Sequence, residues 1–185
     1  MSRTESTSHA DALLQRWCDD EAQVRERMQR QPGLARLDQL AGLDGLAQMQ
    51  AMLAGELPPP PIALTLDFLL VEVARGQAVF QGKPQFRHYN PLGTVHGGWF
   101  ATLLDSALGC AVHTTLEAGS GYTTLEFKVN LVRALTDKVP LVRAIGEVTH
   151  RGRQVSTAEA RLVGHDGRLY AHASTTCLIF EQRQG

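Results

Sequence analysis

The stretch that decides the fold runs from Tyr89 to Asp105 and reads YNPLGTVHGGWFATLLD. It begins with turn-forming residues and continues after His96 as an apolar run with helical spacing. Glycine is among the worst helix formers, yet Gly97 and Gly98 stand where this helix begins. Asp105 then interrupts an apolar helix face. Neither feature helps the helix to form, so each needs a separate reason.

The two glycines are compatible with an anion site. A helix N-terminus carries unsatisfied backbone N–H groups and a partial positive charge. Because glycine lacks a Cβ, a ligand can approach its backbone closely. The N–H of Gly97 or Gly98 could therefore hold a carbonyl oxygen on which negative charge develops. The alternative is that Gly-Gly only lets the helix pack closely on a strand, and the residues alone leave both readings open.

Asp105 lies among apolar side chains, namely Phe100, Leu103, Leu104, Leu108 and Val112. A carboxylate in such surroundings is costly unless it has hydrogen-bond partners or a function. A buried structural aspartate bonded to backbone N–H groups is the alternative. His96 precedes Asp105 by nine residues, which is about 13 Å along a helix and on its opposite side. The two could serve one reacting atom only across a two-fold axis, with each chain giving half a site.

Strand patterns surround a helix predicted from about His96 to Leu116. Two strand candidates precede it and four follow it, at 62–76, 77–84, 122–133, 139–152, 153–164 and 167–180. Glycine-containing turns, such as Arg75-Gly76, separate neighbouring candidates as β-hairpins require. The expected fold class is α+β, with an antiparallel sheet that buries one long helix against one face.

The first 57 residues have a different pattern, with helical spacing over 11–31 and 43–57. Four consecutive prolines, Pro58 to Pro61, then favour a stiff extended spacer. The chain is therefore divided into a helical N-terminal extension at 1–57, a spacer at 58–61 and a main domain at 62–181.

Composition argues against several functional classes. The net charge of −1 gives no basic surplus for a nucleic-acid backbone. No apolar run reaches the roughly 18 residues of a membrane span, and the N-terminus is polar. Three separated cysteines, Cys18, Cys110 and Cys177, indicate reduced thiols and a cytoplasmic location. The polar residues near the glycines lack metal-ligand spacing, so no metal is expected.

Three stretches, at 88–112, 121–135 and 150–180, closely resemble the PaaI-like acyl-CoA thioesterases of the hotdog superfamily. The most specific element is Asn90, then His96-Gly97-Gly98, then Asp105, and the resemblance covers about 43–180. It implies a hotdog fold, in which the sheet wraps around the helix, and homodimers that pair into homotetramers. It also implies hydrolysis of acyl-CoA thioesters with neither metal nor cofactor.

The resemblance also implies roles for individual residues. Asp105 would be the catalytic acid, acting as base on water or attacking the acyl carbon. Gly97 would give the oxyanion-hole N–H from the other subunit, and Asn90 and His96 would lie near the thioester carbonyl and the water. Thr124 stands where the family often has Ser or Thr close to the Asp. The third strand ends in Arg133-Ala134, where the family often has Arg-Pro-Ala.

Substrate contacts are harder to read from the sequence. Gly98 shares the anion-binding argument with Gly97. Arg151 and Arg153 flank a glycine in a predicted hairpin; they form either a solvated turn or a clamp for coenzyme A phosphates. Trp99 and Phe100 either line an acyl pocket or belong to the core, so the acyl group is not predicted.

Two other functions use the same fold: a hotdog hydratase or dehydratase, and a non-catalytic acyl-CoA sensor joined to a DNA-binding segment. The extension at 1–57 holds six arginines against nine carboxylates, the wrong sign for DNA. The predicted partners are therefore an acyl-CoA substrate and further copies of the chain, with no nucleic acid and no membrane.

Overall fold

The computed structural model of the protein describes residues 3–28 and 31–182. Five helices lie at Arg3–Arg27 (α1), Leu37–Leu40 (α2), Gly45–Leu53 (α3), Pro61–Leu66 (α4) and Gly97–His113 (α5), with a 3₁₀ turn at Phe86–His88. Six strands lie at Phe68–Ala74 (β1), Gln77–Gly82 (β2), Ser120–Leu131 (β3), Val142–Arg151 (β4), Val155–Gly164 (β5) and Leu169–Glu181 (β6). The predicted order of two strands, one long helix and four strands is confirmed.

All six strands form one antiparallel sheet in the order β1-β2-β4-β5-β6-β3. Helix α5 packs against one face, and six of its side chains are fully buried there: Leu103, Leu104, Ala107, Leu108, Ala111 and Val112. Met49 of α3 joins the same core. The predicted hotdog architecture, a sheet around a central helix, is therefore confirmed.

The close fit between α5 and the sheet depends on Gly146 in the middle of β4. A Cβ at this position would lie 2.3 Å from the backbone oxygen of Ala107 and 3.0 Å from the backbone nitrogen of Leu108. Backbone atoms inside a helix cannot give way, so any side chain here would push the helix off the sheet. The absence of a side chain at Gly146 therefore sets the depth at which α5 lies.

Helix α1 covers part of the opposite face of the sheet. Its Val24 packs against Leu69, Val71 and Val79 of β1 and β2. Nearby, the buried guanidinium of Arg143 lies 4.6 Å from the ring centroid of Trp17. The same guanidinium forms ion pairs with Asp20 of α1 and with Glu72. The extension is thus packed on the sheet by both apolar and charged contacts.

The strand predicted from Ile62 is wrong at its beginning, because 61–66 forms helix α4. Pro60 is the N-cap and Pro61 is the first helical residue, a position where proline is favoured because its missing N–H has no partner to lose. The helix ends at Asp67, whose backbone is left-handed with a φ of 52°. The short apolar run misled the prediction, because periodicity does not separate strand from helix over six residues.

Other boundaries differ by a few residues. Helix α5 ends at His113 rather than near Leu116. Helix α1 begins at Arg3 rather than at Asp11 and ends at Arg27 rather than at Gln31. Gln29 and Arg30, which the prediction included in α1, lie outside the described residues. None of the helices in the described part of the chain is long and apolar enough to cross a membrane.

Candidate active site

The loop before α5 is held by the side chain of Asn90. Its Oδ1 accepts hydrogen bonds from the backbone N–H groups of Leu92 and Thr94, at 2.9 and 3.3 Å. Its Nδ2 donates to the hydroxyl of Thr94 at 3.1 Å. The backbone of Val95 then donates to the carbonyl oxygen of Leu135 at 2.9 Å. These bonds deliver the chain to His96 in a defined position.

His96 is the N-cap of α5, with an extended backbone and its ring over the first turn. The N–H of Gly98 donates to His96 Nδ1 at 2.8 Å, so in the neutral ring the proton lies on Nε2. Among the described residues, no acceptor takes the N–H of Gly97. The imidazole thus occupies one of the two glycine N–H groups and leaves the other available.

A cavity of about 260 Å³ opens beside this free N–H. Its walls come from the Asn90 loop, the start of α5 and the end of β3, and consist of Asn90, Thr94, Val95, Gly97, Phe100, Leu131, Val132, Arg133 and Ala134. A Cβ on Gly97 would lie 2.9 Å from Leu131 Cδ1. Leu131 was not predicted as a wall of this site, because no motif marks an apolar residue at a strand end.

Asp105 lies two turns further along α5, half-buried beside β3. The hydroxyl of Thr124 donates to its Oδ1 at 3.4 Å. Burial raises the pKa of Asp105 above its ordinary value, and the hydrogen bond from Thr124 partly opposes that rise. Burial and the charge of Asp105 also raise the pKa of Cys110 to about 12, so this neighbouring thiol stays protonated. Of these two neighbouring groups, Asp105 is therefore the one available in its ionised form.

A β-bulge adjoins Thr124. The pairing of β3 with β6 shifts register between Thr124 and Glu126, which leaves Leu125 as an extra residue. Such bulges redirect the side chains that follow them. Thr124 pairs with the buried Cys177 before the bulge, and Phe127 pairs with the buried Thr175 after it, so Thr124 and Phe127 both lie on the helix side of the sheet. The bulge thus keeps Thr124 and Phe127 on the same side of the sheet, although they are three residues apart.

The chain does not bring all the predicted site residues together. Asn90 and Gly97 share the cavity, and Asp105 contacts Thr124. Gly97 and Asp105, however, are eight residues apart on one continuous helix, which corresponds to about 12 Å. One thioester carbon cannot touch both groups of a single chain.

Arg151 is the last residue of β4, and Arg153 lies in the turn between β4 and β5; both are exposed. Arg151 pairs with Ser156, which pairs with Cys177, which in turn pairs with Thr124. With neighbouring strands about 4.8 Å apart, the turn is roughly 14 Å from Thr124 at the same end of the sheet. Both arginines are thus at the Asp105 end of the sheet but well separated from Thr124.

The two aromatic residues at the start of α5 have different surroundings. Trp99 is 3% exposed, and its Nε1 donates to the carbonyl oxygen of Leu66 at 2.9 Å. Phe100 is equally buried but also lines the cavity. Trp99 is therefore a core residue and Phe100 a wall of the site. Within 3–28 and 31–182, no group of three or more His, Cys, Asp or Glu side chains is placed to hold a metal ion.

This chain is similar to several known proteins in both sequence and fold. The thioesterase superfamily model matches residues 92–171. The crystal structure of a phenylacetic acid degradation-related protein from Ralstonia eutropha JMP134 is 31% identical, with a TM-score of 0.64 over 70% of this chain and 97% of that one. A variant of the phenylacetic acid degradation protein PaaI from Thermus thermophilus is 27% identical, with a TM-score of 0.58 over 64% of this chain and 97% of that one.

A curated relative adds a named activity. The 1,4-dihydroxy-2-naphthoyl-CoA hydrolase of Listeria monocytogenes serotype 1/2a (strain 10403S) is 23% identical over 120 residues, which are 65% of this chain and 96% of the relative. Nearly the whole length of these relatives is thus contained in this chain, and the predicted resemblance is confirmed. From its fold, its motif and these relatives, the chain belongs to the thioesterase superfamily as a PaaI-like thioester hydrolase of the hotdog fold.

Proposed function

We propose that the protein hydrolyses an acyl-CoA thioester at a site built by two copies, with Asp105 from one and the Gly97 N–H from the other. The observation that carries this proposal is the placement of the two groups on α5. The half-buried carboxylate and the free N–H lie on one helix about 12 Å apart. Both are suited to thioester hydrolysis, and only a second copy can bring them to one carbonyl.

The chemistry follows from the two groups. Ionised Asp105 either takes a proton from water, which then attacks the thioester carbon, or attacks that carbon itself. In both routes negative charge develops on the carbonyl oxygen. The free N–H of Gly97, with the partial positive charge of the helix start, stabilises that oxyanion. The carbon–sulfur bond then breaks and coenzyme A leaves as its thiolate, to which Asp105 passes the proton that it took from water. In the second route the acyl group stays on Asp105 as a mixed anhydride, and water then hydrolyses this anhydride to the free acid and restores the carboxylate.

The free edge of β3 is the surface that fits a second copy. Apolar side chains on this strand are exposed in the single chain: Leu125 at 57%, Phe127 at 36% and Leu131 at 54%. An unpaired edge also presents backbone N–H and C=O groups ready to pair with another strand. Helix α5 runs opposite to β3, with Gly97 next to Leu131 and Asp105 next to Thr124. Antiparallel pairing of two β3 strands therefore carries each Gly97 toward the Asp105 of the other copy.

The register of that pairing can be derived. For Gly97 to reach Asp105, Leu131 of one copy must approach Thr124 of the other, which puts the two-fold axis near Phe127 and Lys128. Residues directly opposite each other share a face, so the axis passes through one of these two. An axis at Lys128 would oppose two like charges. An axis at Phe127 stacks two aromatic rings and pairs each Lys128 with the Glu126 of the other copy, which favours Phe127.

The acyl-CoA substrate class is supported by the named activity of the Listeria relative. The cavity beside Gly97 accepts the acyl group, since Phe100 and Leu131 give it apolar walls. Arg151 and Arg153 bind coenzyme A phosphates at the exposed turn. A panel of aryl and alkyl acyl-CoA substrates then identifies the preferred acyl group through kcat/KM.

Replacement of Asp105 tests the proposed function. Asp105→Asn keeps the size and hydrogen-bonding shape of the side chain but cannot accept a proton. We expect kcat for acyl-CoA hydrolysis to fall by about 10²–10⁴-fold, with an unchanged circular dichroism spectrum. A variant that keeps activity within a few-fold of the wild type would assign Asp105 a structural role and contradict the proposal.

A further inference from the structure

Asp67 has a left-handed backbone conformation, which is unusual for a residue other than glycine. It ends α4 with φ 52° and ψ 63°, and among the described residues it is the one non-glycine residue with a positive φ. Aspartate tolerates this left-handed region better than most residues, but glycine adopts it freely. The backbone conformation alone would favour glycine at this position, so the contacts of the carboxylate are the reason for an aspartate here.

Three side chains from two distant segments surround this carboxylate. Arg25 of α1 donates to Oδ1 at 2.8 Å, Gln85 donates to Oδ2, and the Arg87 guanidinium lies 3.4 Å from Oδ2. Burial opposes the ionisation of Asp67, but the hydrogen bonds and charges of these partners lower its pKa overall. We call Asp67, Arg25, Gln85 and Arg87 the Asp67 cluster. It ties α1 to the segment that leads into the candidate site.

The Asp67 cluster continues into the packing below α5. The backbone N–H of Gln85 donates to Nδ1 of His88 at 3.2 Å. The buried ring of His88 stacks on Trp99, with 5.3 Å between ring centroids. The indole of Trp99 in turn donates to the carbonyl oxygen of Leu66, the neighbour of Asp67. These contacts connect the α4–β1 junction, the 3₁₀ turn and the first turn of α5 to one another.

One backbone hydrogen bond connects these contacts to the proposed oxyanion site. The N–H of His96 donates to the carbonyl oxygen of His88 at 2.8 Å. His96 is the N-cap of α5, and the free N–H of Gly97 follows it directly. A displacement of the Gln85–His88 segment would therefore displace the N–H that holds the oxyanion.

We propose that Asp67 is a positioning residue for thioester hydrolysis, which couples α1 to the active-site turn through Arg25 and Gln85. The proposal rests on the proposed function, since the turn matters for catalysis only if Gly97 binds the oxyanion. Helix α1 lies outside residues 92–171, which the family model matches. The extension thus supports catalysis from outside the family core, although it contributes no group to the reacting atoms.

The variant Asp67→Asn tests this role with little change in shape. Asparagine also tolerates the left-handed backbone, but it lacks the charge that Arg25 and Arg87 bind. Because the oxyanion forms only in the transition state, we expect kcat to fall by about 5–10-fold while KM changes less than about two-fold. Asp38→Asn is the matched control, since it breaks an ion pair with Arg36 on the exposed surface and should leave kcat unchanged.

Arg25→Gln and the double variant with Asp67→Asn separate positioning from general destabilisation. If both residues act through their mutual contact, the double variant should lose no more kcat than the more impaired single variant. Multiplying losses would overturn the proposal, because they would mean that the two residues act independently.

A readout without substrate keeps the proposal separate from the proposed function. The chain has two tryptophans, so Trp17→Phe leaves Trp99, stacked on His88, as the only tryptophan, whose emission can be excited selectively. In this background Asp67→Asn should shift the emission of Trp99, and Asp38→Asn should not. If the wild type hydrolyses no thioester, the proposed function fails while the Trp99 result still tests the cluster. Unchanged Trp99 emission, or unchanged kcat in an active enzyme, overturns the proposal.

Discussion

At the scale of single residues, the proposed site combines a side-chain carboxylate with a backbone N–H group of a glycine. Asp105 is half-buried, and its pKa is raised by that burial, which increases its strength as a base once it is ionised. Gly97 contributes no side chain, and the His96 ring leaves its N–H free. The proposed site therefore accounts for the two glycines that weaken the start of the helix.

The hydroxyl of Thr124 stabilises the ionised form of Asp105, and replacing it should shift the pH dependence of kcat/KM. Its hydroxyl donates to Asp105 Oδ1 and favours the ionised form, so it holds the pKa below the value that burial alone would set. In Thr124→Val this donor is lost, and the pKa of Asp105 should rise further. Because the ionised form is the active one, the acid limb of kcat/KM should move to higher pH.

The control for this pH shift is Thr123→Val, the same substitution at an exposed neighbour on the other side of β3. Its acid limb should coincide with that of the wild type. An unmoved acid limb in Thr124→Val would mean that the hydroxyl does not interact with the ionising group, or that Asp105 is not that group.

At the scale of elements, the position of α5 depends on Gly146 of β4. We expect Gly146→Ala to destabilise the protein by about 1–3 kcal/mol, since the added methyl group meets the helix backbone. Gly33→Ala is the matched control, because its new Cβ would meet no atom closer than 3.9 Å. Thermal unfolding of the two variants checks this. Equal melting temperatures would show that α5 moves without cost.

Much of the element order could be predicted from the sequence, because α5 and the four strands after it have long, regular patterns. Helix α4 could not, since six residues with Ile62 and Thr65 fit either structure. The contacts of Asp67 could not be predicted from the sequence either. They join positions 25, 67 and 85, and no local pattern reveals partners so far apart in the chain. The motif at 90–105 was readable because its residues lie close together in the sequence.

At the scale of the whole molecule, α1 covers one part of the sheet, while β3 leaves the far edge open. The division into an extension at 1–57 and a main domain at 62–181 stays a prediction, as do the homotetramer and the cytoplasmic location. The open edge is where the proposed second copy binds. Its register, with Phe127 on the two-fold axis, can be tested directly.

Cross-linking through β3 tests the register. In a Cys18→Ser background, which removes the exposed native thiol, Phe127→Cys should form a disulfide between two chains under mild oxidation. Lys128→Cys is the matched control, because with this register the two Lys128 Cα atoms lie roughly 8 Å apart, beyond disulfide reach. Non-reducing electrophoresis separates the outcomes. Cross-linking of Lys128→Cys without Phe127→Cys would place the axis at Lys128.

The most direct test of the shared site is a mixed dimer of two inactive variants. Asp105→Asn removes the base. Gly97→Pro removes the N–H and adds a ring, at the first helical position where proline is tolerated. Gly97→Ala controls for the added Cβ, since it retains the N–H and should therefore keep more activity than Gly97→Pro. Each inactive variant must first be shown to be inactive as a homodimer.

The two variants are co-expressed with different tags, and dimers that carry both tags are purified and assayed. In a shared site, one site of each mixed dimer has both lesions and the other has none, so the account predicts about half of the wild-type activity. If each chain holds a complete site, every site in the mixed dimer carries a lesion. Purified mixed dimers without activity would therefore contradict the claim that two copies build the site.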